Sequence, residues 1–318
     1  MSLLTRYLSD AHKAELSKRV TSNGVRLEDV IRSGLRHPES SVGVYAPDGQ
    51  SYEVFRELFQ PILAGFRSPA LPRHGSMACV NPAAVVSTRI RMARNLAGHV
   101  FPAGMSGPQR KDVEAELAHA CRCLAPEFQG TITHLGDVPQ ARLDAMISKH
   151  LAFGPEDKYM AAAGIHADWP IGRSVFNTPE SQLSVWINEE DHLRVAVVMP
   201  GACVSACHQL MGSVMSLLAA RLDFCEDAQL GYLTSCPSNV GSGMRASYMV
   251  DLCLDVSQQA LLERLESAGV IQIRGAAGEH SNRAGGLVDI GFRNRVGVSE
   301  TQMLRDMDML FAEPALCA

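Results

Sequence analysis

The chain of 318 residues has no run approaching the roughly 20 apolar residues that a helix needs to span a bilayer. Its opening residues, Met1 to Arg6, lack the apolar core of a secretory signal. A cytoplasmic protein that does not engage a membrane is the expectation. Basic runs are missing as well: 29 Lys and Arg stand against 34 Asp and Glu, for a formal net charge of -5, which argues against a nucleic-acid surface. A local arginine cluster can still bind phosphate within an acidic protein. The nine cysteines, at 79, 121, 123, 203, 207, 225, 236, 253 and 317, are odd in number and contain no CxxC pair, which fits reduced thiols better than disulfides or zinc. Cys203 and Cys207 share helical i,i+4 spacing and read as packing residues. Internal repeats and low-complexity tracts are absent, and so is the lysine of a Walker loop.

What is present suits an ordinary globular protein. At 46% hydrophobic content the chain can bury a substantial core, in one large domain or two modest ones. Residues 1 to about 66 read as short helices. Leu27, Val30, Ile31 and Leu35 share one face, and Val54, Phe55, Leu58, Phe59, Ile62 and Leu63 share another. The loop between them, from Glu39 to Gly49, holds turn formers whose serines and glycine leave backbone amides open to a ligand. The proline-rich stretch Ser68 to Gly75 has no periodicity and reads as a linker, dividing the chain into 1–75 and 76–318. Beyond it, strand-like runs at Leu183 to Ile187, Arg194 to Met199 and Ser247 to Val256 alternate with helical stretches around 108 to 124, 204 to 222 and 257 to 268. That mixture predicts an α+β domain. Near the end, Ser299 with Gln302 forms a capping box ahead of Met303, Leu304, Met307, Leu310 and Phe311 on one helical face.

Four segments carry chemistry. In Ser87-Thr88-Arg89-Ile90-Arg91, strand alternation puts Arg89 and Arg91 on one face, two permanently charged forks for neighbouring phosphate oxygens. Asn188-Glu189-Glu190-Asp191-His192-Leu193-Arg194 crowds three carboxylates after an apolar strand. Cys236-Pro237-Ser238-Asn239-Val240-Gly241-Ser242-Gly243-Met244-Arg245 sets a thiol, glycines and a guanidinium within ten residues, and the Ser238 hydroxyl is placed to donate to a thiolate at Cys236. Its Gly241-Ser242-Gly243-Met244-Arg245-Ala246 run matches the loose dinucleotide pattern, but alternation from Ala246 onward predicts a strand where that fold demands a helix. The fourth segment is Arg274-Gly275-Ala276-Ala277-Gly278-Glu279-His280. Five arginines, Arg89, Arg91, Arg194, Arg245 and Arg274, could together neutralise a triphosphate and a phosphoryl group in flight.

These segments together resemble the phosphagen kinases, and the resemblance runs from about Leu3 to Phe311. It implies a small helical N-terminal domain followed by a larger one built on an antiparallel sheet flanked by helices. It also implies reversible phosphorylation of a guanidino compound by MgATP, with Mg²⁺ carried in by ATP. Carried over by motif, the five arginines with Ser87 and Thr88 hold the nucleotide phosphates, and His150 stacks on adenine. Glu190, Cys236 and Glu279 hold the guanidinium. Ser40, Ser41, Val42, Gly43 and Tyr45 form a specificity loop resembling that of arginine kinases, which with Glu279 points to L-arginine as acceptor. The sequence departs from the family pattern at Ser41, where glycine is usual, and at Ala277, where a basic residue is usual, and its linker and C-terminus are short. Glu39 and Lys158 stand where arginine kinases place an Asp and an Arg that pair on domain closure. Rival readings are kinases for taurocyamine, lombricine or creatine, and a catalytically silent nucleotide-binding relative. Bacterial protein-arginine kinases resemble only the larger domain.

Overall fold

The computed structural model describes residues 2–66, 80–251, 256–275, 286–293 and 296–311. Five short helices come first: α1 (Leu3–Tyr7), α2 (Asp10–Leu16), α3 (Leu27–Arg36), α4 (Ser51–Val54) and α5 (Arg56–Gly65). Ser2 and Ser9 cap the first two by accepting from the amides of Thr5 and His12. Leu27, Val30 and Ile31 are buried as their spacing predicts, whereas Leu35 is exposed. At that turn the inward position is Gly34, packed so tightly on the backbone of Gly43 that a Cβ would lie 2.4 Å from the Gly43 carbonyl oxygen. The apolar run after the loop is one face but two helices, broken at Phe55. Phe55, Leu58, Phe59 and Ile62 share their core with Leu27 and Ile31, and also with Phe101, Leu233, Val240 and Val296 from the larger domain. The helical part is therefore seated on the rest through common apolar packing.

Among the described residues ten strands follow: β1 (Val85–Arg94), β2 (Thr131–His134), β3 (Ser174–Asn177), β4 (Leu183–Ile187), β5 (Leu193–Pro200), β6 (Glu226–Asp227), β7 (Gly231–Tyr232), β8 (Met244–Asp251), β9 (Ile271–Gly275) and β10 (Leu287–Phe292). Eight of them form one antiparallel sheet in the order β2-β3-β4-β5-β1-β8-β10-β9, while β6 and β7 make a separate ribbon. The α-helices that accompany them among the described residues are α6 (Gly107–Cys121), α7 (Ala125–Phe128), α8 (Gln140–Ser148), α9 (Lys158–Ala163), α10 (Val204–Ala219), α11 (Val256–Ser267) and α12 (Glu300–Leu310). The strand read as Ser247 to Val256 begins earlier, at Met244, and Val256 already belongs to α11. The linker read at 68–75 lies outside the described residues.

The sheet has one apolar face. Ile90 and Met92 of β1, Val195 and Val197 of β5, Tyr248 and Val250 of β8, and Val288 and Ile290 of β10 pack with Cys207, Met211 and Val214 of α10 and with Met303 and Met307 of α12. Alternation sends the intervening residues of each strand to the opposite face, where Arg89, Arg91, Arg194, Arg245, Ser247 and Asp289 stand beside Ala196 and Met249.

Candidate active site

Residues directly opposed in an antiparallel pair project from the same face. Arg91 opposes Arg245, Ala93 opposes Arg194, and Arg89 opposes Ser247. Gly291 opposes Ser247, Asp289 opposes Met249, and Arg274 opposes Asp289. The register thus gathers Arg89, Arg91, Arg194, Arg245 and Arg274 onto the face turned away from the helical core, with Ser87 two residues before Arg89.

Thr88 departs from the expectation that it joins Ser87 in a phosphate-binding turn. Both lie within the extended strand β1, and Thr88 projects from the apolar face, where its hydroxyl donates to the Gly201 carbonyl at 2.6 Å and accepts from the Cys203 amide at 2.9 Å. Its place is at the start of α10. Thr88→Val is expected to cost about 1–3 kcal/mol in a denaturant titration, because it removes two hydrogen bonds and leaves a partly buried carbonyl and amide without this partner, with nucleotide KM unchanged. A nucleotide KM raised tenfold would return Thr88 to the phosphate site.

The five guanidiniums differ in what holds them. Arg194 forks across Glu189 and Glu190. Arg245 donates to Asp289 at 2.5 Å and to the Ser247 hydroxyl at 3.3 Å, and Arg274 donates to Gln272 at 2.7 Å. Burial would raise the Asp289 carboxyl, but the charge of Arg245, hydrogen bonds from Ser247 and Arg245, and the charge of Arg89 outweigh it and hold the group below the usual carboxylate range. Arg89 and Arg91 have no side-chain hydrogen bond or ion pair among the described residues. Burial pushes the Arg91 guanidinium well down, and the like charges of Arg194, Arg89 and Arg245 add to it. Arg89 is lowered as well, again chiefly by burial, with Asp289 opposing. Five cations and three carboxylates leave this face short of negative charge, which an oligophosphate supplies.

The polar residues of the Asn188 to Arg194 segment are each engaged in the structure. Asn188 turns the chain with a φ of 58°, and its amide donates to the carbonyls of Arg110 at 2.9 Å and Gly172 at 2.8 Å. Glu189 holds Arg194 and accepts from the Glu190 amide at 2.7 Å. Asp191 is fully buried, and one of its oxygens accepts from Asn95 at 2.7 Å and from the Ser235 amide at 2.6 Å. Through that last bond it ties the Glu190 turn to the loop bearing Cys236. His192 accepts from the Leu96 amide at 3.0 Å on Nδ1, so Nε2 donates to the Val100 carbonyl at 2.9 Å. Burial drives its imidazole down to about 3, making it a neutral structural group. Only Glu190 reaches open space. It is raised by burial, against the pull of Arg194, and it accepts from the Asn239 amide at 3.2 Å.

The segment after Cys236 is explained by Gly243, whose φ is +64° and where a Cβ would come 2.5 Å from the Ala93 carbonyl oxygen. Strand β8 begins at the next residue, so the glycines do not open a dinucleotide-binding helix. Cys236 lies 3.1 Å from the Ser238 hydroxyl, as the sequence suggested, but the expected thiolate is not its resting state. Burial first, and Glu190 second, push the thiol up to about 12 against the lowering effect of Ser238. Without a cation beside it, Cys236 is a neutral thiol. Its alkylation rate in the ligand-free protein is therefore expected to rise about tenfold per pH unit from pH 7 to 10; a plateau below pH 9 would contradict this.

One cavity of about 500 Å³ brings much of this together. Arg91, Arg274, Gln272, Glu190, Cys236 and Asn239 line it from the sheet side, and Ser40, Ser41, Val42 and Tyr45 line it from the helical side. Glu39 and Lys158 meet at 2.7 Å, joining the loop after α3 to α9. Ala46 donates to the Ser235 carbonyl and Tyr52 of α4 to that of Thr234, each at 2.7 Å, so the loop after α3 and the helix that follows it are both bound to the segment next to Cys236. Gly43 belongs to this loop but packs against Gly34 and Leu4 rather than lining the cavity. His150 is exposed just past α8, in a left-handed conformation with a φ of 58°, and does not line the cavity. Glu279 lies outside the described residues. Sequence reasoning passed over Asp289, Gln272 and Asn239, which hold Arg245, Arg274 and Glu190. The visible signal was Asp289 itself, a carboxylate on a strand otherwise made of Leu287, Val288, Ile290, Gly291 and Phe292.

A guanidinium-lined face beside a buried carboxylate and thiol is the equipment of a phosphotransferase with a cationic acceptor. The family model for the ATP:guanido phosphotransferase N-terminal domain matches residues 1–64, and that for the C-terminal catalytic domain matches residues 112–313. This chain belongs to that family, the phosphagen kinases. It is 32% identical to an arginine kinase of Penaeus monodon and 31% identical to one of Limulus polyphemus, each over 96% of this chain and 89% of the relative. Among solved structures, a substrate-free duplicated taurocyamine kinase from Schistosoma mansoni superposes with a TM-score of 0.84 at 28% identity, covering 97% of this chain and 46% of that one. A lombricine kinase superposes with a TM-score of 0.83 at 28% identity, covering 96% of this chain and 88% of that one.

Proposed function

We propose that the protein reversibly transfers the γ-phosphoryl group of MgATP to a guanidino nitrogen of L-arginine, giving phosphoarginine and ADP. The observation that supports it best is the shared cavity, lined by Arg91, Arg274, Glu190 and Cys236 from the sheet side and by Ser40, Ser41, Val42 and Tyr45 from the helical side. In this reading Arg89, Arg91, Arg194, Arg245 and Arg274, with Ser87, take the phosphates, and His150 stacks on the adenine. The carboxylates on this face are already paired, Glu189 and Glu190 with Arg194 and Asp289 with Arg245. Among the described residues no group of three or more His, Cys, Asp or Glu could hold a metal ion. In this reading Mg²⁺ is part of the substrate, arriving on ATP.

The chemistry follows from relative basicity. A free guanidinium with a pKa near 13.8 would cost roughly 13 kcal/mol to deprotonate onto an ordinary glutamate. Glu190, with Glu279, therefore serves first to align the nitrogen with the γ-phosphorus, and Glu190 accepts the proton as the N–P bond forms. An arriving guanidinium supplies the positive charge that Cys236 lacks at rest. The thiol then loses its proton to solvent, and the thiolate adds a third anion that holds the head in line, without forming a phosphoenzyme. Exclusion of water by the loops on either side favours transfer over hydrolysis.

Arginine is favoured by the relatives and by the loop. The amides of Ser41 and Val42 have no hydrogen-bond partner among the described residues, which suits an acceptor ending in a carboxylate. The second reading, a taurocyamine or lombricine acceptor, draws on the solved neighbours. A coupled assay with MgATP and all of these acceptors separates them: kcat/KM is expected to be highest for L-arginine by at least about tenfold, and a higher value for any other acceptor would replace it. Lys158→Ala removes the Glu39 partner and is expected to raise the arginine KM severalfold with nucleotide KM unchanged. An unaltered arginine KM would leave the pair without a role in acceptor binding.

A further inference from the structure

The first amides of any helix lack partners within it, and in α1 two of them are taken up by the loop after α3. The Leu3 amide donates to the Ser41 carbonyl and the Leu4 amide to the Val42 carbonyl, both at 3.0 Å. Peptide planarity transmits this geometry, since the N–H of each residue points opposite to the carbonyl before it. Fixing the Ser41 carbonyl fixes the direction of the Val42 N–H, which has no partner among the described residues and belongs to a residue lining the cavity. Fixing the Val42 carbonyl likewise directs the Gly43 N–H, which donates to the Ser40 hydroxyl at 3.1 Å. The contact leaves little room for drift. Gly43 has a φ of +84°, a Cβ there would lie 2.9 Å from Leu4 Cβ, and its carbonyl accepts from the Gly34 amide at 3.0 Å.

We infer that the opening turn of α1 is a positioning element for the acceptor: the backbone amides of Leu3 and Leu4 set the peptide planes of Ser41 and Val42, and so set affinity for the end of the acceptor remote from the guanidinium. This rests on the reading that the Ser40 to Tyr45 loop binds that end.

Leu3→Pro tests it. Leu3 is the first residue of α1, a position where proline is favoured, and Ser2 has the extended ψ of 158° that a residue before proline adopts. The substitution deletes the N–H that reaches Ser41 and keeps the helix. Asp10→Pro makes the same change at the first residue of α2, behind Ser9 with a ψ of 160° and away from the loop. Leu3→Ala keeps the N–H and removes the side chain. Leu3→Pro is expected to raise the acceptor KM about 3- to 10-fold, the worth of one hydrogen bond, with kcat and the MgATP KM within about twofold. Asp10→Pro should change neither, and Leu3→Ala should raise the acceptor KM less than Leu3→Pro. An acceptor KM in Leu3→Pro no higher than in Leu3→Ala, or kcat and both KM values moving together, would overturn the inference. Gly43→Ala separates the two levels: if it also leaves the acceptor KM unmoved, the loop does not bind acceptor, and if it alone raises that KM, only the α1 contact is refuted. Hydrogen exchange of the unmodified protein gives the same test without a variant. Acceptor binding should slow exchange at residues 3 and 4, and unchanged exchange would count against the inference.

Discussion

Glu190→Gln is expected to lower kcat by about 10²- to 10⁴-fold, the usual worth of a general base, while the MgATP KM and Tm stay close to those of the parent. The substitution is isosteric, and a glutamine oxygen can still accept from Arg194 and Asn239, so what it removes is the negative charge and the capacity to take a proton. Glu190 is the one carboxylate of its segment that faces the cavity, Glu189 and Asp191 being spent on Arg194, Asn95 and Ser235. Burial raises its carboxyl, and Arg194 only partly offsets this. The sign of the pH dependence follows. The reaction needs the carboxylate, a raised pKa keeps the proton on to higher pH, and the acid limb of kcat/KM should therefore lie above the ordinary glutamate range and vanish in Glu190→Gln. Normal turnover in that variant would remove Glu190 from the mechanism.

The second large effect separates activity from stability. Arg91→Ala is expected to reduce turnover by about 10³-fold or more, as removal of a cation from a phosphoryl-transfer site does, without lowering Tm. Arg91 has no ion pair among the described residues, and burial together with Arg194, Arg89 and Arg245 depresses its pKa. A base depressed in the folded state is one whose charge opposes folding, so deleting it returns that cost and offsets the packing lost with the stem. Arg245 is the counterexample on the same face. Removing it strands the buried Asp289 carboxylate and should cost about 3–5 kcal/mol, alongside a comparable loss of activity. Thermal melts and steady-state kinetics on the two variants check the contrast. Near-normal turnover in Arg91→Ala, or a fall in Tm equal to that of Arg245→Ala, would contradict it.

Much of this was legible in the chain because the relevant periods are short. Alternation alone put Arg89 and Arg91 on one face, and the alternation from Ala246 onward identified the strand that brings Arg245 opposite Arg91. Convergence of Arg194 and Arg274 on that face depends on pairing across β5, β1, β8, β10 and β9, which no local pattern specifies. It could be anticipated only through the family motifs. Thr88 was misplaced for a related reason: its proximity to Ser87 and Arg89 in sequence hid the two-residue period that turns it to the other side. Cys236 shows a different limit. Ser238 was correctly placed beside the sulfur, but the balance between that hydrogen bond and burial next to Glu190 is set by tertiary packing. Leu35 continued a helical stripe, yet the tight contact between Gly34 and Gly43 decided which side of α3 faces inward.

The central claim is that the arginine face and the Glu190–Cys236 wall act on two substrates in one cavity. Phosphorus NMR of the protein with MgATP and L-arginine tests it most directly. The γ-phosphorus signal is expected to be replaced by that of an N-linked phosphate, in step with the appearance of ADP, without inorganic phosphate, and in reverse when phosphoarginine and MgADP are supplied. Release of inorganic phosphate alone, or an unchanged ATP spectrum with every guanidino acceptor tried, would contradict it.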